Sequence, residues 1–412
     1  MNHLATADAG AVERVFREAY GEAVATLIRT VGDITLAEDA VQEAFVVATD
    51  RWPTDGIPAN PAGWIVTTAK RRAIDVIRRS ARGRHLQEEA GIATVAGLDR
   101  SPVDEPGPVR DDRLRLIFTC CHPSLRREHH VALTLRLLGG LSVEEVARLF
   151  FVSEAAMAKR LVRAKYKIKA AKIPYRVPEE ADLPARLRSV LSVLSLIYTS
   201  GLDGEAGEPL RTEAIRLTRE LVDLLPDEPE AAGLLALLLL SESRAPARCV
   251  DGDLVLLQDQ DRTAWDREMI AEGHAIVRAC IRRGRPGPYQ LQAAIQAVHA
   301  AAATFEATDW PQIVALYDQL LALSPTPVVA LNRAIALAEV LGPAEGLAAV
   351  DAIPPGLETS HLLHAARGTM LRELERPDDA LAAFERAVQL ATSDPDRRFL
   401  TGQIDALAVD RR

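Results

Sequence analysis

Apolar side chains recur at intervals of three and four along nearly the whole chain, the period of amphipathic helices rather than strands. From residue 10, Val12, Val15, Phe16, Ala19, Tyr20, Val24, Leu27, Ile28 and Val31 trace one such face. A second helix is predicted over 35–51, with Thr35 as N-cap and Glu38 three residues on, a capping-box spacing. A Pro-rich loop (Pro53–Pro61) precedes a helix over 61–82, whose Val66, Ala69, Ala73 and Val76 predict one buried stripe. Periodicity lapses over 83–110, which reads as a linker. Helices resume over 111–121 and 125–138 and stop at Gly139–Gly140. Ser142 then caps a short helix with Glu145 three residues on. After a break at Val152–Ser153 a helix runs to Lys172; Pro174 and Pro178 mark a boundary, and from about 185 the pattern is helix, turn, helix to the end. The fold class predicted is all-α.

Length and composition fit that pattern. At 412 residues, two or three domains are expected. Aromatics make up 4%, and Ala, Leu, Glu and Arg dominate. No signal peptide is visible at the start, and the longest apolar run, Leu234–Leu240, falls far short of the ~20 residues that span a bilayer. Four cysteines, two adjacent, make no disulfide framework. A cytoplasmic protein without membrane contact is expected. The net charge of −9 conceals opposed halves: 27 cations and 22 acids over 1–178, but 22 and 36 over 179–412. That asymmetry suggests a nucleic-acid-binding part joined to a part of another kind.

The cations cluster on two helices. Lys70, Arg71, Arg72, Arg78, Arg79, Arg82 and Arg84 face a single acid, Asp75, between 64 and 85. Between Met157 and Lys172 lie seven cations and no acid, over an apolar stripe of Met157, Leu161, Ala164 and Ile168. The segment Leu141–Ser153 has the layout of the first half of a helix-turn-helix, with small Ala147 permitting close packing and Ser153 capping the second helix. Phe151 stands at the turn position that usually favours glycine. Such a helix can enter a major groove, reading base edges first and meeting phosphates further on.

Three segments, Thr35–Phe45, Trp64–Arg79 and 141–165, arrive in the order and spacing of extracytoplasmic-function sigma factors, which this chain resembles over about 10–82 and 111–172. The resemblance implies no enzyme and no cofactor, but a subunit that binds RNA polymerase core (the β′ clamp and the β flap) and promoter DNA. It assigns Asp39, Gln42 and Glu43 to the polymerase, with Val41, Ala44 and Phe45 as core. It places Thr67, Lys70, Arg71, Arg72, Arg78 and Arg79 at the minus-10 element, and the loop Thr54–Gly63 at a captured base. Ser153, Glu154, Ala156, Met157, Lys159 and Arg160 fall at the minus-35 bases, with Arg163 and Lys167 on phosphates. The expected domains are 1–82 (region 2), a linker 83–110, 111–178 (region 4) and a helical regulatory domain 179–412.

Within that last domain, Gly368, Leu371, Ala380, Phe384 and Ala387 occupy the packing positions of a tetratricopeptide unit. Ile313, Tyr317, Leu320 and Pro325 fit half of another, and Ala214, Thr218, Leu221 and Pro226 a looser third. The whole resembles the sigma-factor subgroup with a tetratricopeptide-like C-terminal extension. Polar segments around Trp265, Tyr289 and Trp310 read either as a groove for an unknown protein or small ligand, or as helix caps and loop ties. Cys120-Cys121-His122 lacks a chelating spacing, so no metal is expected. Two other readings remain: a helix-turn-helix regulator that never joins polymerase, and a repeat-based scaffold.

Overall fold

A computed structural model describes residues 9–87, 109–150, 152–179, 181–202, 207–250, 253–391 and 393–410. The chain divides into two compact units, Met1–Ser200 and Gly201–Arg412. Most of the 83–110 linker and Phe151 lie outside the described residues, as do the side chains of Arg82 and Arg84.

The first unit is built of α1 (Ala9–Val31), α2 (Ile34–Asp55), α3 (Pro61–Gln87), α4 (Val109–Cys120), α5 (Arg127–Leu137), α6 (Val143–Leu149), α7 (Glu154–Ala170) and α8 (Leu183–Ser200). Helices α1–α3 pack on one another through Tyr20, Val24, Leu27, Val41, Phe45, Ile65 and Ala69, all buried. Asp33, not Thr35, caps α2: its carboxylate accepts from Thr35 N and Leu36 N. The capping-box spacing misled because the turn closes one residue after Gly32, whose φ of +71° suits glycine. Helix α2 also continues through Pro53 to Asp55, and Gly56 stops it at φ +80°. The stripe on α3 ends at Ala73, since Val76 is 41% exposed.

The α1–α3 group is sewn to α4–α7 within this unit. Leu138 O would lie 2.8 Å from a Cβ placed on Gly21, so only glycine admits that approach of α1 to the end of α5. Tyr175 donates its hydroxyl proton within reach of two carbonyls, Ala25 O (2.8 Å) and Asp112 O (3.0 Å), and Arg29 Nε pairs with buried Asp112 at 2.8 Å. Helix α8 packs on α4 and α5, so it lies in the first unit, although the sequence boundary at 178/179 would assign it to the second.

The second unit is built of α9 (Glu208–Leu224), α10 (Pro229–Glu242), α11 (Ala245–Arg248), α12 (Arg267–Arg283), α13 (Pro288–Ala301), α14 (Trp310–Leu323), α15 (Pro327–Leu341), α16 (Pro343–Asp351), α17 (His361–Glu373), α18 (Pro377–Leu390) and α19 (Asp394–Asp410). One small antiparallel pair, β1 (Cys249–Val250) with β2 (Asp253–Leu254), interrupts the helices. Most successive helices pack on one another, most extensively α17 on α18, while α10 packs on α12 and α13 across the α11–β2 segment. There the expected interlock is present: Gly368 lets the Phe384 ring sit where a Cβ would come within 2.8 Å of it, and Leu371, Ala380 and Ala387 are buried around it. No described helix is long and apolar enough to cross a membrane.

Candidate nucleic-acid interface

Helix α7 presents its residues according to the pattern that folds it. Ser153 Oγ accepts from Ala156 N and starts the helix; Met157, Leu161, Ala164 and Ile168 are buried against the unit. Met157 has no exposed surface, so its expected place among the bases is corrected: the thioether fills the core that orients the helix. Glu154, Ala156, Lys159, Arg163 and Lys167 are exposed. The Arg160 guanidinium lies 5.4 Å from the Phe150 ring centre, a stacking contact between helix and turn. Ahead of it Ser142 and Glu145 form the reciprocal capping box, with Ser142 N donating to Glu145 Oε2 at 2.6 Å and Glu145 N to Ser142 Oγ at 3.1 Å. Ala147 is buried where α6 meets α7.

On α3, Lys70, Arg71, Arg72, Arg78 and Arg79 are exposed, while Ile65, Ala69 and Ala73 anchor the opposite side. Arg72 stands 3.8 Å from Glu43 with both side chains half in solvent, a pairing worth little. Thr67 Oγ donates to Gly63 O at 2.8 Å, leaving its oxygen able to accept. Asn60 accepts from Gly63 N at 2.9 Å and starts α3.

On α2, Asp39 and Glu43 are exposed and Gln42 is half-buried, donating Nε2 to Glu38 Oε1 at 3.0 Å. Val41, Ala44 and Phe45 are buried as expected. Burial raises the pKa of Asp39, helped by the Glu38 and Glu43 charges and opposed by Lys165 and Arg136. Val46, 63% exposed, shares the Asp39–Gln42–Glu43 face; sequence reasoning passed over it, although its place seven residues after Asp39 marks it.

The cations of α7 divide between two tasks. Lys165 pairs with Glu38 Oε2, and Lys169 Nζ lies 3.1 Å from Asp33 Oδ2. Although desolvation raises the Asp33 carboxyl, hydrogen bonds from Leu36 N and Lys169 outweigh it and hold the group below its ordinary range. Between these partners lies a cavity of about 280 Å³ bordered by Ile28, Thr119, Lys172 and Tyr175. Lys159, Arg163 and Lys167 are left outward with no acid on their helix beyond Glu154. A surface of this kind, two cation-bearing helices on buried apolar stripes, has the electrostatic character of a nucleic-acid binder.

In the second unit the polar segments serve as caps and ties. Asp261, Asp266 and Asp309 each accept from backbone N–H groups at helix starts, and Gln290 with Tyr289 N fastens α13 to Glu230 of α10. Arg262 lies 4.7 Å over the Trp265 ring and donates Nη1 to His299 O and Ala302 O, closing the end of α13. Cys120 and Cys121 are buried and their thiols are raised by burial; among the described residues no group of three or more His, Cys, Asp or Glu could hold a metal.

Comparison with known proteins agrees with this arrangement. Residues 15–83 match sigma-70 region 2, residues 115–168 match sigma-70 region 4, and residues 186–281 match a family of unknown function, DUF6596. These are the two modules of a sigma-70-type factor, followed by a further helical segment. An uncharacterized protein of Rhizobium meliloti is 41% identical over 411 residues, an alignment covering 98% of this chain and 97% of that one. A probable RNA polymerase sigma factor, RfaY, of Xanthomonas campestris pv. campestris is 34% identical over 36% of this chain and 39% of its own. A probable ECF RNA polymerase sigma factor, SigI, of Mycobacterium tuberculosis is 29% identical over 43% of this chain and 63% of its own. The chain thus carries sigma-70 regions 2 and 4, is similar over that part to RNA polymerase sigma factors of the extracytoplasmic-function type, and continues into a long helical C-terminal unit. The solved structure of yeast Tom70 aligns over 98% of this chain and 86% of its own at 12% identity and a TM-score of 0.38, too slight a likeness to carry an argument.

Proposed function

We propose that this protein recruits RNA polymerase core to particular promoters, docking Asp39, Gln42 and Glu43 on the β′ clamp. In this reading Thr67, Lys70, Arg71, Arg72, Arg78 and Arg79 take the minus-10 element. Ser153, Glu154, Ala156, Lys159 and Arg160 take the minus-35 bases, Arg163 and Lys167 its phosphates, and the β flap holds region 4. The observation that carries the reading is the pair of exposed cationic faces on α3 and α7, inside the two segments that match sigma-70 regions.

The same reading requires the first unit to open. The minus-10 and minus-35 elements are separate stretches of one duplex, and every base pair between them adds about 3.4 Å. A compact body of this unit's length has a radius of gyration near ~17 Å. The ion cluster at Glu38 joins α2 to α5 and α7, so it must part before both elements are engaged. Polymerase, by gripping the neighbouring Asp39–Glu43 face, would supply the free energy for that separation. The C-terminal unit regulates this step, directly or through a partner. Run-off transcription with core polymerase, comparing the full chain with one ending after Ser200, tests both statements: no transcripts from either would sink the first, and equal transcripts from both the second.

A further inference from the structure

Two stripes of identical spacing run along α7. The buried one is Met157, Leu161, Ala164 and Ile168; the other, displaced by two residues, is Ala155, Lys159, Val162 and Tyr166. Two residues turn an α-helix by about 200°, so the second stripe is the face directly opposite the core. It is the row that enters a groove deepest. On it Val162 is 64% exposed and Tyr166 72% exposed, two large side chains on a helix whose other exposed positions are charged residues or alanines.

Exposure of a lone apolar residue is ordinary. This pair stands on the outermost line, flanked by Lys159, Arg163 and Lys167, which favour a polyanion over an apolar protein partner. In the major groove the one apolar feature is the thymine 5-methyl group. Ala155 and Val162 are about 10 Å apart along the axis at 1.5 Å per residue, within a groove about 12 Å wide. Tyr166, a further ~6 Å along, is placed for the groove wall, where a tyrosine ring can pack on sugar and its hydroxyl can meet phosphate.

Resting on the function proposed above, we infer that Val162 is a specificity-determining residue of α7 that contacts a thymine methyl of the minus-35 element, with Tyr166 as the neighbouring positioning residue on the backbone. The test uses holoenzyme assembled from core polymerase and the full chain, incubated with a promoter library randomised over the minus-35 element. The wild-type chain should enrich a fixed thymine that V162A no longer selects. Replacing that dT by deoxyuridine should weaken wild-type binding about fourfold, the effect of one buried methyl, and leave V162A unchanged. A Val-to-Ala change at a helical position this exposed keeps the fold. If V162A selects the same thymine with the same uracil sensitivity, or loses core binding instead of sequence preference, the inference is wrong. If no sequence is enriched by either holoenzyme, the function it rests on fails with it.

Discussion

Arg136 Nε lies 2.7 Å from Glu38 Oε1, a buried ion pair between residues 98 positions apart. The Glu38 side chain also meets Lys165 and Gln42, so one carboxylate holds α2, α5 and α7 together. Removing one member of such a cluster leaves buried cations unpaired, which costs about 3–5 kcal/mol. Glu38→Ala should lower the urea midpoint of the first unit accordingly. Arg136→Met and Lys165→Met combined with Glu38→Leu, which removes both cations together with the acid, should recover most of the loss. A Glu38→Ala protein as stable as wild type would show that the cluster contributes nothing to holding the unit closed.

Gly368 faces the Phe384 ring at a distance that no Cβ tolerates. Gly368→Ala should therefore destabilise the second unit by roughly 1–3 kcal/mol through overpacking, in spite of alanine's better helix propensity. Thermal unfolding followed by circular dichroism measures it, and Phe384→Leu in the same chain should relieve part of the strain. A gain in stability for the single variant would contradict the packing described.

How much of this could be read in advance depended on whether a residue's role is local. The apolar stripe of α7, the Ser142–Glu145 box and the Gly368–Phe384 interlock are legible because spacing determines them, whereas the α3 stripe holds only at Ala69 and Ala73. Asp33 as the true cap of α2 was missed because Thr35 and Glu38 offered a competing local pattern, while Glu38 was committed to partners near 136 and 165. Nothing local in the sequence announces such a partnership. Met157 fits both the apolar stripe of α7 and the base-reading positions of the family, and a helix side chain can serve only one. The packing of α8 with the first unit was likewise invisible, since Pro174 and Pro178 mark a turn, not a domain end.

His299 carries a pH signature. Burial, with Arg244 and Arg262 nearby, pushes its imidazole down to about 4. An unfolded histidine takes up its proton near 6.5. Between those values the unfolded chain binds the proton and the folded chain does not, so stability falls as pH drops from about 6.5 to about 4 and levels below. The depressed value is worth up to roughly 3 kcal/mol across that window. His299→Gln should remove this part of the slope when unfolding is followed at a series of pH values; unchanged slopes would contradict the burial.

The most direct test of the central claim is promoter-dependent run-off transcription with purified core polymerase at low salt, using the full chain and its D39A/Q42A/E43A variant. The account predicts transcripts from the full chain and a marked loss with the variant, whose exposed and half-buried positions leave the fold intact. A full-length, folded protein that neither joins core polymerase nor starts transcripts would contradict it.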